Sequence, residues 1–358
     1  MTRQRNHPQR DERDETGSST ASKSRSVPTV ADVAALAGVS PGTVSKAMNG
    51  SGQLRVATRA RVIRAAAQLG FQPNALAQGL LTGRTYTVGI LTTDSFGRFT
   101  IPVMFGIEDS LGLGKISTLL CDSRGDPLRE QHYLRTLLAR RVDGIVIAGR
   151  ARDPRPPIGN VAVPVVYALG ESADPEDLSV TYDDEQGAAL AVSHLLRMGR
   201  TRIAHVTGRQ RHCSARFREA AARSTLKQAG SDFVGGDALW GEWSEAWGRD
   251  AAHILAKSGD PFDAVFCGND QIARGLVDGL RETGRRVPED VAIVGFDNWE
   301  VMATACRPPL TTVDPNLTEV GRVAAQKLLD AIESGHHEKG LVLLPCHLTI
   351  RQSTSGLQ

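Results

Sequence analysis

From Thr85 onward, short β-rich runs alternate with helical stretches, and this rhythm constrains the chain more than any other feature. TVGILTT (87–93) precedes a helical stretch from Pro102 to Leu113, and ISTLLC (116–121) precedes one from Pro127 to Arg140. DGIVIAG (143–149) and VPVVYA (163–168) follow. Glu185–Met198, RIAHVTG (202–208), Phe217–Ala229, Ala246–Lys257, DAVFCGND (263–270), Gln271–Glu282, VAIVGFD (291–297) and Leu317–Ile332 continue the alternation. Parallel strands need crossover helices, so such alternation means βαβ units and parallel sheets. The strands are too many for one sheet of ordinary width. Two similar lobes are therefore expected, dividing near 182 with the chain recrossing near 314. Apolar residues make up 41% of the 358, enough for a sizeable core. No apolar run approaches the roughly 20 residues of a membrane-spanning helix.

The region before Thr85 has a different character. Residues 1–26 are polar, charged and Ser-rich and predict a disordered tail. From Val30, Val33, Leu36 and Ala37 share one face of a short helix. Gly38 suits the left-handed position after a helix end, Ser40 an N-cap and Pro41 a first helical residue. A second short helix from Pro41 to about Asn49 ends at Gly50-Ser51-Gly52. A third, from about Ala57 to Leu69, carries Val62, Ile63, Ala66 and Leu69 at core spacing. Two short helices joined by a tight Gly-containing turn predict a helix-turn-helix, whose second helix presents its N-terminal end to a major groove. Ser40, Thr43, Ser45 and Asn49 suit phosphates, Thr29 joins the DNA-contacting set, and Lys46 faces outward toward a base edge. Charge agrees: residues 27–84 sum to +5 and residues 1–26 to +2, within a formal total of +2, which leaves −5 on the remainder. A basic head on an acidic body points to a polyanion partner for the head alone.

Other chemistries find less support. Gly38-Val39-Ser40-Pro41-Gly42 matches G-x-S-x-G, but a hydrolase elbow needs a strand before its Ser, and here an Ala-rich helix precedes it. The loop after the first strand run, TTDSFGRFT (92–100), has no G-x-G-x-x-G and no G-K-[ST], which argues against a kinase or dehydrogenase. His132, His194, His205, His253, His336, His337 and His347 form no metal-spaced set, and the five dispersed cysteines read as free thiols. No catalysis, metal or cofactor is expected. With no apolar stretch behind the basic N-terminal residues, a cytoplasmic location is expected.

The order A-G-V-S (37–40), T-V-S (43–45), Asn49, a helix, Pro73-Asn74, a hinge, then R-T-Y-T-V-G (84–89) resembles the head of the lactose-repressor (LacI/GalR) family. The similarity runs from Val27 to Arg351. It implies an all-α helix-turn-helix domain (27–73), a hinge helix and linker (74–84), and a two-lobed α/β core (85–351) of doubly wound parallel sheets, like a periplasmic binding protein, with a short tail at 352–358. It implies a homodimer on a near-palindromic operator, responsive to a sugar or related small molecule, and most often a repressor. Paired hinge segments would lie in the minor groove through Asn74, Ala77, Gln78 and Leu80, with Leu80 as the wedge. Pro41 and Gly42 occupy the first base-reading positions and offer no side-chain hydrogen bond, so direct readout falls mainly on Lys46. Gly79 weakens so short a hinge helix, which is expected to fold only on DNA.

In two-lobed folds of this kind the ligand sits in the cleft at the carboxyl ends of strands. Asp94, Arg98 and Phe99 follow the first run, His212, Ser214 and Arg218 follow RIAHVTG, and Asn269 and Asp297 end two later ones. Arg218, Trp243, Asn269 and Asp297 fall where the resembling family holds ligand. A guanidinium and a carboxylate can each hold two neighbouring hydroxyls, while Trp243 or Phe99 stacks on a sugar ring. Trp240 or Trp247 competes for Trp243's place, and Asp270 reads as the N-cap of the next helix rather than a ligand. Val103, Met104, Ile107, Leu111 and the helix after Pro127 are candidates for a dimer face, or equally for packing on their own sheet. No heptad tail follows Arg351, so a dimer is expected rather than a tetramer.

Overall fold

The structure is a computed structural model that describes residues 28–48, 52–72, 83–112 and 116–355. The expected tail at 1–26 lies outside the described residues, as do Asn49, Asn74, Ala77, Gln78 and Leu80. The chain divides into two compact units, one up to Leu81 and one from Thr82.

The first unit contains helices Val30–Ala37, Pro41–Met48 and Val56–Leu69. Thr29 caps the first of these in a reciprocal box with Asp32, and Gly38 ends it in the left-handed conformation (φ 64°, ψ 43°). Ser40 begins the second: its Oγ accepts the Thr43 N–H at 3.2 Å. The small core joins Val33, Ala34, Ala37, Val44, Ala47, Val62, Ala65 and Ala66. Leu36 and Ile63, expected inside, are exposed. Each is rotated by about one position, roughly 100°, from the buried stripe, which runs through 33, 34 and 37 in one helix and 62, 65, 66 and 69 in the other.

The second unit holds two six-stranded sheets. The first has strand order β11-β5-β4-β3-β1-β2, all parallel, from Thr87–Thr92 (β1), Ser117–Asp122 (β2), Gly144–Ala148 (β3), Val165–Ala168 (β4), Leu178–Tyr182 (β5) and Gly340–Leu344 (β11). The second has order β12-β10-β9-β8-β6-β7, from Ile203–Thr207 (β6), Leu239–Trp240 (β7), Ala264–Cys267 (β8), Ala292–Phe296 (β9), Thr311–Asp314 (β10) and His347–Thr349 (β12). It is parallel except where β12 runs against β10. Central strands β1, β3, β6 and β9 are buried almost throughout, as apolar strands covered on both faces must be. Edge strand β11 alternates half-buried and exposed residues, while edge strand β2 exposes Ser117 and Leu120 and half-buries the rest. The chain passes from the first sheet to the second after Tyr182, returns after Asp314, and passes again between Leu344 and His347.

Helix Thr100–Leu111 lies against helix Leu317–Ser334 at very short range. A Cβ on Gly106 would fall 1.8 Å from the Thr318 carbonyl oxygen, and one on Gly321 would fall 2.0 Å from that of Val103. Of the two readings of Val103, Met104, Ile107 and Leu111, packing within their own lobe is the one observed. Val103, Ile107 and Leu111 are buried within their own lobe, and Met104 packs on the same core. Ile101 and Phe105 are the exposed apolar residues of that helix, and Leu128 is the exposed one at the start of helix Pro127–Ala139. Among the described residues no helix is long and apolar enough to cross a membrane. Gly106→Ala is expected to destabilise this unit by about 1–3 kcal/mol through overpacking. A chemical-denaturation midpoint that does not move would contradict so close a helix contact.

Candidate functional site

The loops at the carboxyl ends of the strands converge on a cavity of about 370 Å³. Arg98 and Phe99 come after β1, Arg150, Ala151 and Asp153 after β3, and Tyr182 from the end of β5. The second sheet supplies His212 and Ser214 after β6, Arg218 on the same helix, Trp243 after β7, Asn269 after β8 and Asp297 after β9. Both lobes therefore contribute, as expected for a ligand held at the switch between strand ends.

The side chains are already ordered by one another. Arg218 is buried, with its Nε 2.7 Å from Asp184 Oδ1. Its Nη2 donates to the Tyr182 hydroxyl at 3.1 Å, its Nη1 donates to the Gly268 carbonyl, and its guanidinium carbon sits 3.5 Å from the Phe296 ring centroid. Burial opposes the charge on Arg218, but Asp184, Tyr182 and Asp297 outweigh it, so its pKa is pushed up and it stays cationic. Burial, then the nearby Asp184 carboxylate, pushes the Tyr182 phenol up and keeps it protonated. Arg98 reaches from the first lobe to the second, where it pairs with Asp297, donates to Gln271 Oε1 at 2.8 Å, and lies 4.5 Å from the Trp299 ring centroid. Trp243 Nε1 donates to His212 Nδ1 at 2.7 Å. Asp297 itself has φ 106°, a left-handed conformation unusual for a non-glycine residue, and such strain concentrates at functional sites.

Of the nine expected ligand residues, eight line the cavity: Arg98, Phe99, His212, Ser214, Arg218, Trp243, Asn269 and Asp297. Asp94 does not. Its Oδ2 accepts the N–H groups of Phe99 (2.7 Å) and Thr100 (3.0 Å), so it holds the start of helix Thr100–Leu111. The cap of helix Asp270–Glu282 is Asn269, whose Oδ1 accepts the Ile272 N–H at 2.9 Å, and not Asp270. Asp270 is the first helical residue, buried, and accepts from Thr312 Oγ1 and from the Trp299 N–H at 2.8 Å. The helix expected from Phe217 begins at Cys213, with His212 at its N-cap. Ser214 and Arg218 thus fall four apart on one buried face. Trp247, the rival to Trp243, donates its Nε1 to the Thr207 carbonyl at 3.0 Å and packs on the core of the second lobe. Sequence reasoning missed Arg150, Ala151, Asp153 and Tyr182 as lining residues. The first three directly follow the run DGIVIAG, and the same strand-end rule would have found them.

On the head, Pro41, Gly42, Ser45 and Lys46 share the exposed side of helix Pro41–Met48, opposite buried Val44 and Ala47. Thr43 is half-buried, its Oγ1 3.0 Å from Ser40 Oγ. Arg55, Arg61 and Arg64, at the start of and along the third helix, are exposed. Thr29 is committed to its capping box with Asp32.

A helix-turn-helix head and a two-lobed cleft together define a ligand-responsive, DNA-binding regulator of transcription. Residues 29–74 match the family described as bacterial regulatory proteins, lacI family. Residues 192–354 match a periplasmic binding protein-like domain. The chain is 31% identical over 334 residues to the HTH-type transcriptional repressor PurR of Aliivibrio salmonicida (strain LFI1238), covering 92% of this chain and 99% of that one. Among solved structures it is similar to the transcriptional regulator CelR–cellobiose complex (30% identity, TM-score 0.65, 91% of this chain and 99% of that one). It is also similar to the Lac repressor dimer bound to operator and the anti-inducer ONPF (28% identity, TM-score 0.74, 91% and 99%). The chain belongs to the lacI family of bacterial regulatory proteins. It is a transcription regulator and not an enzyme.

Burial, and next the charge of Asp297, push the Asp270 carboxyl up to about 8, against the pull of its bonds from Thr312 and Trp299. A carboxyl raised in the folded state contributes stability that is present at low pH and lost as pH rises through its folded pKa. Stability should therefore fall between pH 3.8 and about 8 on account of this group. Asp270→Asn, which can still accept from Trp299 N–H, is expected to flatten that slope. Equal slopes in the two proteins, from denaturation at a series of pH values, would remove Asp270 as the cause.

Proposed function

We propose that the protein represses sugar-utilisation genes as a homodimer on a near-palindromic operator, in the cytoplasm, and that a sugar or sugar derivative bound in the cleft controls its grip on DNA. The observation that carries this reading is the single cavity into which Arg218, Asn269, Asp297 and Trp243 converge from different strand ends. Two-oxygen recognition by a guanidinium or carboxylate beside an aromatic face is the chemistry of a hydroxylated ring. The CelR complex holds cellobiose in a similar fold, which supports a sugar here. The HTH-type transcriptional repressor PurR is similar too, and a nucleoside-type corepressor is the second reading.

On the DNA side, Lys46 would read a base edge and Ser45 would meet phosphate, with Pro41 and Gly42 leaving room for close approach or thymine methyl contact. Asn74, Ala77, Gln78 and Leu80 would form the minor-groove hinge, Leu80 opening the central step.

Selection from a random operator library at fixed salt, repeated across a sugar and nucleoside panel, tests the whole scheme. A palindrome should be enriched, and one compound should shift its affinity. Lys46→Ala should relax preference at one position per half-site, at a cost of about 1–3 kcal/mol. Leu80→Ala should weaken binding to the whole operator. Absence of any enriched sequence, at any salt and with any compound, would refute the reading.

A further inference from the structure

The hydrogen-bonding groups of the cavity are out of balance, and the imbalance describes the missing partner. Its carboxylates and its amide each already accept one bond. Asp297 accepts from Arg98 and faces Arg218 Nη1 at 4.0 Å, Asp153 Oδ1 accepts the Cys213 N–H at 2.8 Å, and Asn269 Oδ1 accepts the Ile272 N–H at 2.9 Å. Donors accumulate in their place. With His212 Nδ1 accepting from Trp243, a neutral imidazole carries its proton on Nε2. Tyr182 accepts from Arg218 and keeps its own hydroxyl proton to give. Arg98 Nε is buried without a partner among the described residues. Arg150 lines the same cavity and makes no hydrogen bond or ion pair among the described residues.

Charge points the same way. The lining holds three guanidinium groups: buried Asp184 balances Arg218 and Asp297 balances Arg98, while Arg150 has no ion pair among the described residues. A neutral sugar that took Asp297 Oδ2 from Arg98, whose side chain is 13% exposed, would strand that cation away from its counter-ion. A ligand bearing an acid group supplies a replacement counter-ion and the acceptors the site lacks.

We propose that the effector carries an oxyanion, a carboxylate or a phosphate on a hydroxylated ring, and that Arg98 and Arg150 hold it. This rests on the cavity being the effector site of a sugar-responsive regulator, as argued above. On binding, the acid group takes over Arg98, and Asp297 is released to accept from the ring hydroxyls.

Inorganic phosphate, titrated into the full-length protein at constant ionic strength while its melting temperature is followed, is the simplest probe. The wild type should show a saturable rise. Arg150→Gln and Arg98→Gln should each raise the half-saturating concentration by about tenfold or more, the scale of one lost charge-assisted bond. Calorimetry with aldonates, uronates, sugar phosphates and their neutral parents then separates the two acid groups. The matching acid should bind about tenfold or more tighter than its parent. Arg98→Gln, with Asp297 released, should instead gain affinity for the neutral parent. A phosphate response that is absent, or alike in all three proteins, overturns the proposal. So does a neutral sugar that binds as tightly as its acid, although that result would leave the sugar-effector reading intact. Phosphate binding lost in both variants, with no sugar of either kind bound, would keep the oxyanion site and overturn that broader reading instead.

Discussion

Arg218 ties the core together at the place where both sheets and the chain crossing meet. Tyr182 closes β5 of the first sheet, Gly268 follows β8 of the second, and Asp184 begins the helix entered at the first crossing. One guanidinium bonds all three. Removing one partner of such a buried pair costs about 3–5 kcal/mol, because the charge left behind has nowhere to go. Arg218 is thus scaffold and cavity wall at once. A movement of one lobe against the other must act on this network and on the Arg98–Asp297 pair. A ligand that contacts these same groups can favour one arrangement of the lobes over another, though only by its differential affinity for the two.

Much of the architecture was legible in the sequence, for a definite reason. A strand covered on both faces must be apolar along its length, so TVGILTT, DGIVIAG, RIAHVTG and VAIVGFD stood out as strands, and the residues just beyond them as site candidates. What escaped was less apolar or shorter. β7 has two residues, β12 has three, and β11 lies at an edge where alternate positions face outward. Helix starts were read a residue or more late where a polar first turn hid them, most clearly at Cys213. The local role of an acidic residue was the least legible. Asp94, Asp270 and Asp297 each follow an apolar strand, yet one holds a helix start, one is buried beneath the site, and only Asp297 faces the cavity. Sequence spacing places such residues near the strand ends, but packing decides which way the carboxylate turns.

The head poses a different problem of recognition. Its small core of Val and Ala side chains fixes two short helices, and the capping of Thr29 and Ser40 uses hydroxyls that would otherwise be open to phosphate. Pro41 and Gly42 give the exposed end of the recognition helix shape without hydrogen-bonding side chains. Specificity then has to come from few direct contacts and from the deformability of the DNA itself, which is read as energy at positions no side chain touches.

The central claim is that groups lining the cleft govern the affinity of the head for DNA. Its most direct test is operator affinity across an effector titration, at one salt concentration, for the wild type and Asp297→Asn. The account predicts a shift of roughly 5–150-fold in the wild type, the range of ordinary allosteric coupling, and a variant whose operator affinity no longer responds to effector. An equal shift in both proteins would show that the effector acts without the cleft carboxylate, and would contradict the account.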